Sequence, residues 1–90
     1  MMPKQRRPVS PGEVLQEEFL KSLEMTQTTL AERMNVPIQR INTLINGKRG
    51  VTAETALLLA KVFDTTPQFW MNLQTNCDLW DAQQKLTAAG

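Results

Sequence analysis

Pro37 splits the middle of the chain into two short helical patterns, and no other feature of the sequence restricts the fold as much. Gln27 to Met34 carries Leu30, Ala31 and Met34 at the spacing of a buried helix face, and Ile38 to Asn46 carries Ile41, Leu44 and Ile45. No helix runs through the segment between them. Proline disfavours helical backbone at Val36 and gives no amide to the preceding turn, so Asn35-Val36-Pro37 is predicted as a three-residue turn.

Three further helical patterns frame this pair. Ser10 caps a first helix with Pro11 at its first position, running to about Ser22, with Val14, Leu15, Phe19 and Leu23 on its apolar side. Thr26 caps the second helix, and Gly47 ends the third by taking a left-handed conformation. Thr52 caps a fourth helix with Ala56, Leu59, Ala60 and Phe63 at its buried spacing. Thr66 and Pro67 open a fifth that runs to about Leu86. No stretch alternates β-branched or aromatic residues with polar ones between turn signals, so no strand is predicted. The expected fold is all-α, with five helices in one domain over residues 10–86, a basic arm over 1–9 and a frayed tail over 87–90.

Composition removes several function classes. Cys77 is the sole cysteine and there is no histidine, so neither an intrachain disulfide nor a cysteine-histidine metal site is expected. No apolar run approaches the roughly 20 residues of a membrane span, and Met1 to Ser10 is too polar and basic for a signal peptide. A reducing, cytoplasmic setting without a membrane partner is expected. Catalysis lacks its parts: there is no imidazole, no glycine-rich phosphate loop, and Glu17 and Glu18 point to different sides of their helix. No enzyme activity, cofactor or small-molecule substrate is expected.

The net charge of +1 hides an uneven distribution. Lys4, Arg6 and Arg7 make the start basic, and the first helix is acidic. From Arg33 to Arg49 the chain carries Arg33, Arg40, Lys48 and Arg49 with no acid. Such a segment suits a phosphate-facing surface.

Two short helices joined by a tight turn make a helix-turn-helix, whose second member lies in a DNA major groove. At 100° per residue, Ile41, Leu44 and Ile45 fall within about 100° of one another and define an inward side. Gln39, Thr43 and Asn46 fall at about 140° to 200° from Ile41, with Arg40 and Asn42 on the flanks. Amide side chains pair with adenine edges, arginine forks onto guanine and threonine touches a thymine methyl. Gln39, Arg40, Thr43, Ile38 and Asn42 are therefore the candidate base-reading residues. Phosphates are gripped by helix N-termini, amides and amines, which singles out Thr26, Gln27, Asn46, Lys48 and Arg49.

The run Thr26-Gln27-Thr28-Thr29-Leu30-Ala31-Glu32-Arg33, with Ile41-Asn42-Thr43-Leu44-Ile45-Asn46-Gly47-Lys48-Arg49, resembles the Xre or phage-repressor (lambda-repressor-like) type of helix-turn-helix. Pro11-Gly12-Glu13-Val14-Leu15, Val51-Thr52-Ala53-Glu54-Thr55-Ala56 and Thr66-Pro67-Gln68-Phe69-Trp70-Met71-Asn72-Leu73-Gln74 narrow the resemblance to HigA-type antitoxins, over about Pro8 to Leu86. The resemblance implies binding to double-stranded operator DNA, repression of the chain's own operon, and neutralisation of a HigB-like toxin, a RelE-like ribonuclease acting on messenger RNA. It implies no fixed toxin-binding motif. A stand-alone Xre-family repressor is the alternative with the same DNA surface.

Trp70, Leu73, Cys77 and Trp80 form one stripe on the fifth helix. Its near part closes the core, whereas Leu79, Trp80 and Leu86 lie beyond the expected reach of so small a domain. A homodimer through this helix is expected, since most oligomers are two-fold and dimeric helix-turn-helix proteins read paired half-sites.

Overall fold

The computed structural model describes residues 6–89; Lys4 and the rest of the expected arm before Arg6, and Gly90 of the tail, lie outside that range. Five helices are present among the described residues. The first, α1, spans residues 11–23 as one run made of Pro11–Val14, a π-helical stretch Leu15–Leu20, and Lys21–Leu23. Then come α2 (Gln27–Met34), α3 (Ile38–Ile45), α4 (Ala53–Phe63) and α5 (Pro67–Ala89).

The start signals act as the side chains dictate. Ser10 Oγ accepts from Glu13 N–H at 3.1 Å while Glu13 Oε1 accepts from Ser10 N–H at 2.9 Å, a reciprocal capping box. Thr26, Thr52 and Thr66 accept from the amides of Thr29, Thr55 and Phe69. The stops are left-handed residues: Glu24, Asn35 and Asp64 at φ of 54°, 57° and 57°, and Gly47 at 76°. Exactly three residues, Asn35 to Pro37, separate α2 from α3.

Inside α1 the sequence pattern misleads. The Lys21 N–H donates to the Gln16 carbonyl, five residues back, so the helix widens and turns less per residue. Leu20 thereby joins Leu15 inside, at 3 % and 0 % exposure, and Leu23, expected on the buried side, is rotated out to 56 %. At the other end, helicity continues through Ala89, past the Leu86 boundary where fraying was expected.

α2 packs on α3, and α4 packs on α5; α1 crosses between them, touching α3 and α5. Leu15, Leu20, Leu30, Met34, Ile41, Leu44, Leu59 and Trp70 fill the centre. Each such side chain contributes roughly 1.5–3 kcal/mol by leaving water. Phe19 seals one end, its ring 4.8 Å from Phe63 and 5.1 Å from Trp70. Trp70 is fully buried and satisfies its indole N–H on Thr65 Oγ1 at 2.8 Å. Gly12 brings α1 directly onto the last turn of α3: a Cβ there would collide with the Leu44 carbonyl and the Ile45 backbone. The height of α3 above the core is thus set by a bare backbone contact.

Candidate nucleic-acid interface

α3 sits with Ile41 and Leu44 buried, at 0 % and 2 % exposure, and Ile45 partly buried. The opposite side faces solvent. Gln39, Arg40 and Thr43 from α3 meet Lys48 and Arg49 from the following loop around an open groove of about 350 Å³, with Pro37 at its rim. Five of the ten candidate DNA-contacting residues thus share one surface.

The remaining five do not line it. Asn42 Nδ2 is 3.5 Å from Gln27 Oε1, and Asn46 Nδ2 donates to Asn42 Oδ1 at 3.2 Å, a short ladder from the start of α2 to the end of α3. Thr26 is exposed, its hydroxyl oxygen occupied by the cap of α2. Ile38, 45 % exposed, turns to a separate hollow lined by Thr28, Ala31, Glu32, Asn35, Val36 and Pro37.

Two candidates carry internal bonds. The Thr43 hydroxyl donates back to the Gln39 carbonyl at 2.8 Å, an arrangement natural to threonine in a helix, which commits its proton within α3. Arg40 Nη1 lies 3.5 Å from Glu54 Oε1. The acid-free window seen in the sequence is therefore not acid-free in space, because the first turn of α4 brings a carboxylate to the flank of α3. At 75 % side-chain exposure Glu54 is a weak, solvent-screened partner.

The loop after α3 is closely tied. Lys48 and Arg49 N–H both donate to the Thr43 carbonyl, at 2.9 and 3.2 Å, closing the helix and leaving both cationic side chains exposed. The basic start of the chain takes another path. Arg7 forks onto Asp81 of α5 with two bonds of 2.9 Å, and the Cys77 thiol contacts the Pro8 and Val9 carbonyls at 3.5 Å. This pairing holds the Asp81 carboxyl below its ordinary range and firms the charge on Arg7, while burial pushes the Cys77 thiol up. Residues 7–9 of the arm thus lie on α5.

A polar groove on the exposed side of a short helix, fed by two loop cations and held by a three-residue turn, defines a helix-turn-helix domain. Residues 17–70 match the helix-turn-helix family. Within that class the chain belongs to the HigA family of Xre-type regulators. It is 47 % identical over 81 residues to the antitoxin HigA-1 of Vibrio cholerae, covering 89 % of this chain and 75 % of that one. An uncharacterized HTH-type transcriptional regulator of Haemophilus influenzae is 49 % identical over 78 residues, with 87 % and 73 % covered. The solved structure of the Pseudomonas aeruginosa antitoxin HigA with higBA promoter superposes with a TM-score of 0.87 at 36 % identity, covering 92 % of this chain and 90 % of that one. Membership places the chain among regulators and not among enzymes.

Among the described residues no helix is long and apolar enough to cross a membrane. Three features of the site were missed in the sequence: the Gly12 contact under α3, Glu54 beside Arg40, and the bond that the Val51 N–H of the loop donates to Gln74 Oε1 of α5. Only the glycine left a trace, as a small residue early in a helix.

Proposed function

We propose that this chain is a cytoplasmic antitoxin that represses its own operon through the α3 groove and neutralises a HigB-like toxin. The observation that carries the DNA half is the meeting of Gln39, Arg40, Thr43, Lys48 and Arg49 around one groove, on a fold whose Pseudomonas relative was solved with its promoter. Gln39, Arg40 and the Thr43 methyl read base edges, with Ile38 and Asn42 at the margins. Lys48, Arg49, Asn46 and the N-terminus of α2 with Thr26 and Gln27 hold phosphates. A homodimer through α5 presents two such surfaces to half-sites about 34–36 Å apart.

The toxin half rests on kinship with an antitoxin of Vibrio cholerae. The second reading is a repressor acting without a toxin; the Haemophilus relative carries only the name of a transcriptional regulator. Co-purification of the product of an adjacent reading frame separates them, and the lack of any such frame favours the second.

Mobility shift on DNA from upstream of the chain's own gene, against a random duplex, tests the groove. Gln39→Ala costs about 1–3 kcal/mol on the upstream duplex and less on the random one, because it removes a base contact. Lys48→Ala weakens both duplexes alike and lowers the salt slope by about one. Equal losses on the two duplexes for Gln39→Ala reject base reading by that residue.

A further inference from the structure

The loop between α3 and α4 is held at both ends by different helices. Its front is fixed to α3 by the two amides on the Thr43 carbonyl. Its back is fixed to α5. The Val51 N–H donates to Gln74 Oε1 at 2.8 Å, and Gln74 Nε2 donates in turn to Asp78 Oδ1 at 2.9 Å, so both ends of the amide are engaged. Gly50 makes room for this: a Cβ there would stand 3.0–3.2 Å from the Gln74 amide atoms. Lys48 and Arg49 carry the front tie on their own amides, and only Gly50 separates them from the back one. With Gln74 and Asp78 they line a cleft of about 190 Å³ where the loop meets α5.

Val51 is buried, at 6 % exposure, and among the described residues its N–H has no other partner. Removing the Gln74 acceptor strands a buried donor, and the backbone moves to recover a bond with water. Arg49 and Lys48 stand two and three residues before Val51, so their backbone shares that movement.

We propose that Gln74 is a positioning residue for phosphate contact: from α5 it sets the depth and register at which the Lys48–Arg49 loop meets the DNA backbone. The proposal deepens the DNA-binding reading and rests on it. Gln74 itself touches no base and no phosphate. Its influence falls on the sequence-independent part of affinity, and sequence preference stays with α3.

The test is salt-dependent mobility shift of Gln74→Met, which keeps the side-chain volume and loses both hydrogen bonds, with melting followed so that folded proteins are compared. The probes are the upstream and random duplexes. The expected result is an affinity loss of about fivefold to tenfold, equal on both duplexes, with a salt slope lower by about one. Gly50→Ala, which displaces the amide without changing it, gives the same pattern and decides the matter if Gln74→Met does not fold. An unchanged affinity and slope overturn the proposal, as does a loss confined to the upstream duplex. If Lys48→Ala flattens the slope and Gln74→Met does not, positioning fails and the DNA reading stands. A wild-type chain that binds neither duplex overturns the DNA reading, and this proposal with it.

Discussion

α3 and α5 differ in how fully their own chain accounts for them. α3 has eight residues, its apolar Ile41 and Leu44 are buried in the domain, and its polar side is turned outward. α5 has 23 residues and begins in the same way, with Trp70 and Cys77 at 0 % exposure. Its second half breaks the pattern: Leu79 and Leu86, seven residues apart on one side, are 64 % and 75 % exposed. Trp80, expected beyond reach of the core, is partly buried; it follows by three residues Cys77, whose thiol meets the Pro8 and Val9 carbonyls. The contrast separates two kinds of surface. Where a helix has its apolar side satisfied at home, the opposite polar side is left free; where it has not, the apolar side itself is the surface proposed for a second copy.

The largest expected effect breaks the first half of α5. Trp70→Ala removes the ring that joins Phe19, Phe63 and Phe69 and leaves a hole at the meeting of α1, α4 and α5. Such truncations cost about 3–5 kcal/mol. A domain of this size holds roughly 5–13 kcal/mol in all, so denaturant unfolding should shift to a much lower midpoint and the protein should verge on unfolding when warm. A small shift would mean that the inner half of α5 is not core.

The outer half of α5 responds differently. Leu79→Ser and Leu86→Ser together leave melting of the single domain nearly unchanged, because both residues face water in one chain. Their effect falls on association. Sedimentation at micromolar concentration should give the mass of two chains for the wild type and of one for the double variant, since each leucine contributes up to roughly 1.5–3 kcal/mol when a second copy covers it. A wild-type monomer at that concentration removes the dimer.

These two halves also mark what was legible in the sequence. Caps and breaks were readable at Ser10, Thr26, Pro37, Gly47, Thr52 and Pro67, because each acts within one helical turn of itself. The orientation of α3 was readable for the same reason. What escaped was either a change of helical pitch, as in Leu15–Leu20, or a meeting of residues far apart in the chain. Arg40 and Glu54 are 14 residues apart, Val51 and Gln74 are 23 apart, and Arg7 and Asp81 are 74 apart. No periodicity encodes such pairs; only the packing of α4 and α5 brings them together.

The smallest expected effect sharpens the comparison at the arm. Arg7 and Asp81 are each almost half exposed, so their pairing is screened by salt and adds little to global stability. Its direction with pH is nonetheless fixed. The Asp81 carboxyl in the folded protein lies below its usual 3.8, held down by the Arg7 hydrogen bonds, so the pairing is complete above that value. It is lost as pH falls through the lower, folded value. Exchange of the Arg7 Nε–H, which donates to Asp81 Oδ1, should therefore stay flat from neutral pH down to about 4, once its intrinsic pH dependence is removed, and its protection should fall only in stronger acid. Asp81→Asn should give the unprotected behaviour at neutral pH with hardly any change in melting. The same variant frees Arg7 near the Lys48–Arg49 loop, so a rise in salt-dependent affinity for both duplexes would show the arm to be held from DNA by α5. Unaltered binding would assign residues 7–9 wholly to the packing of the long helix.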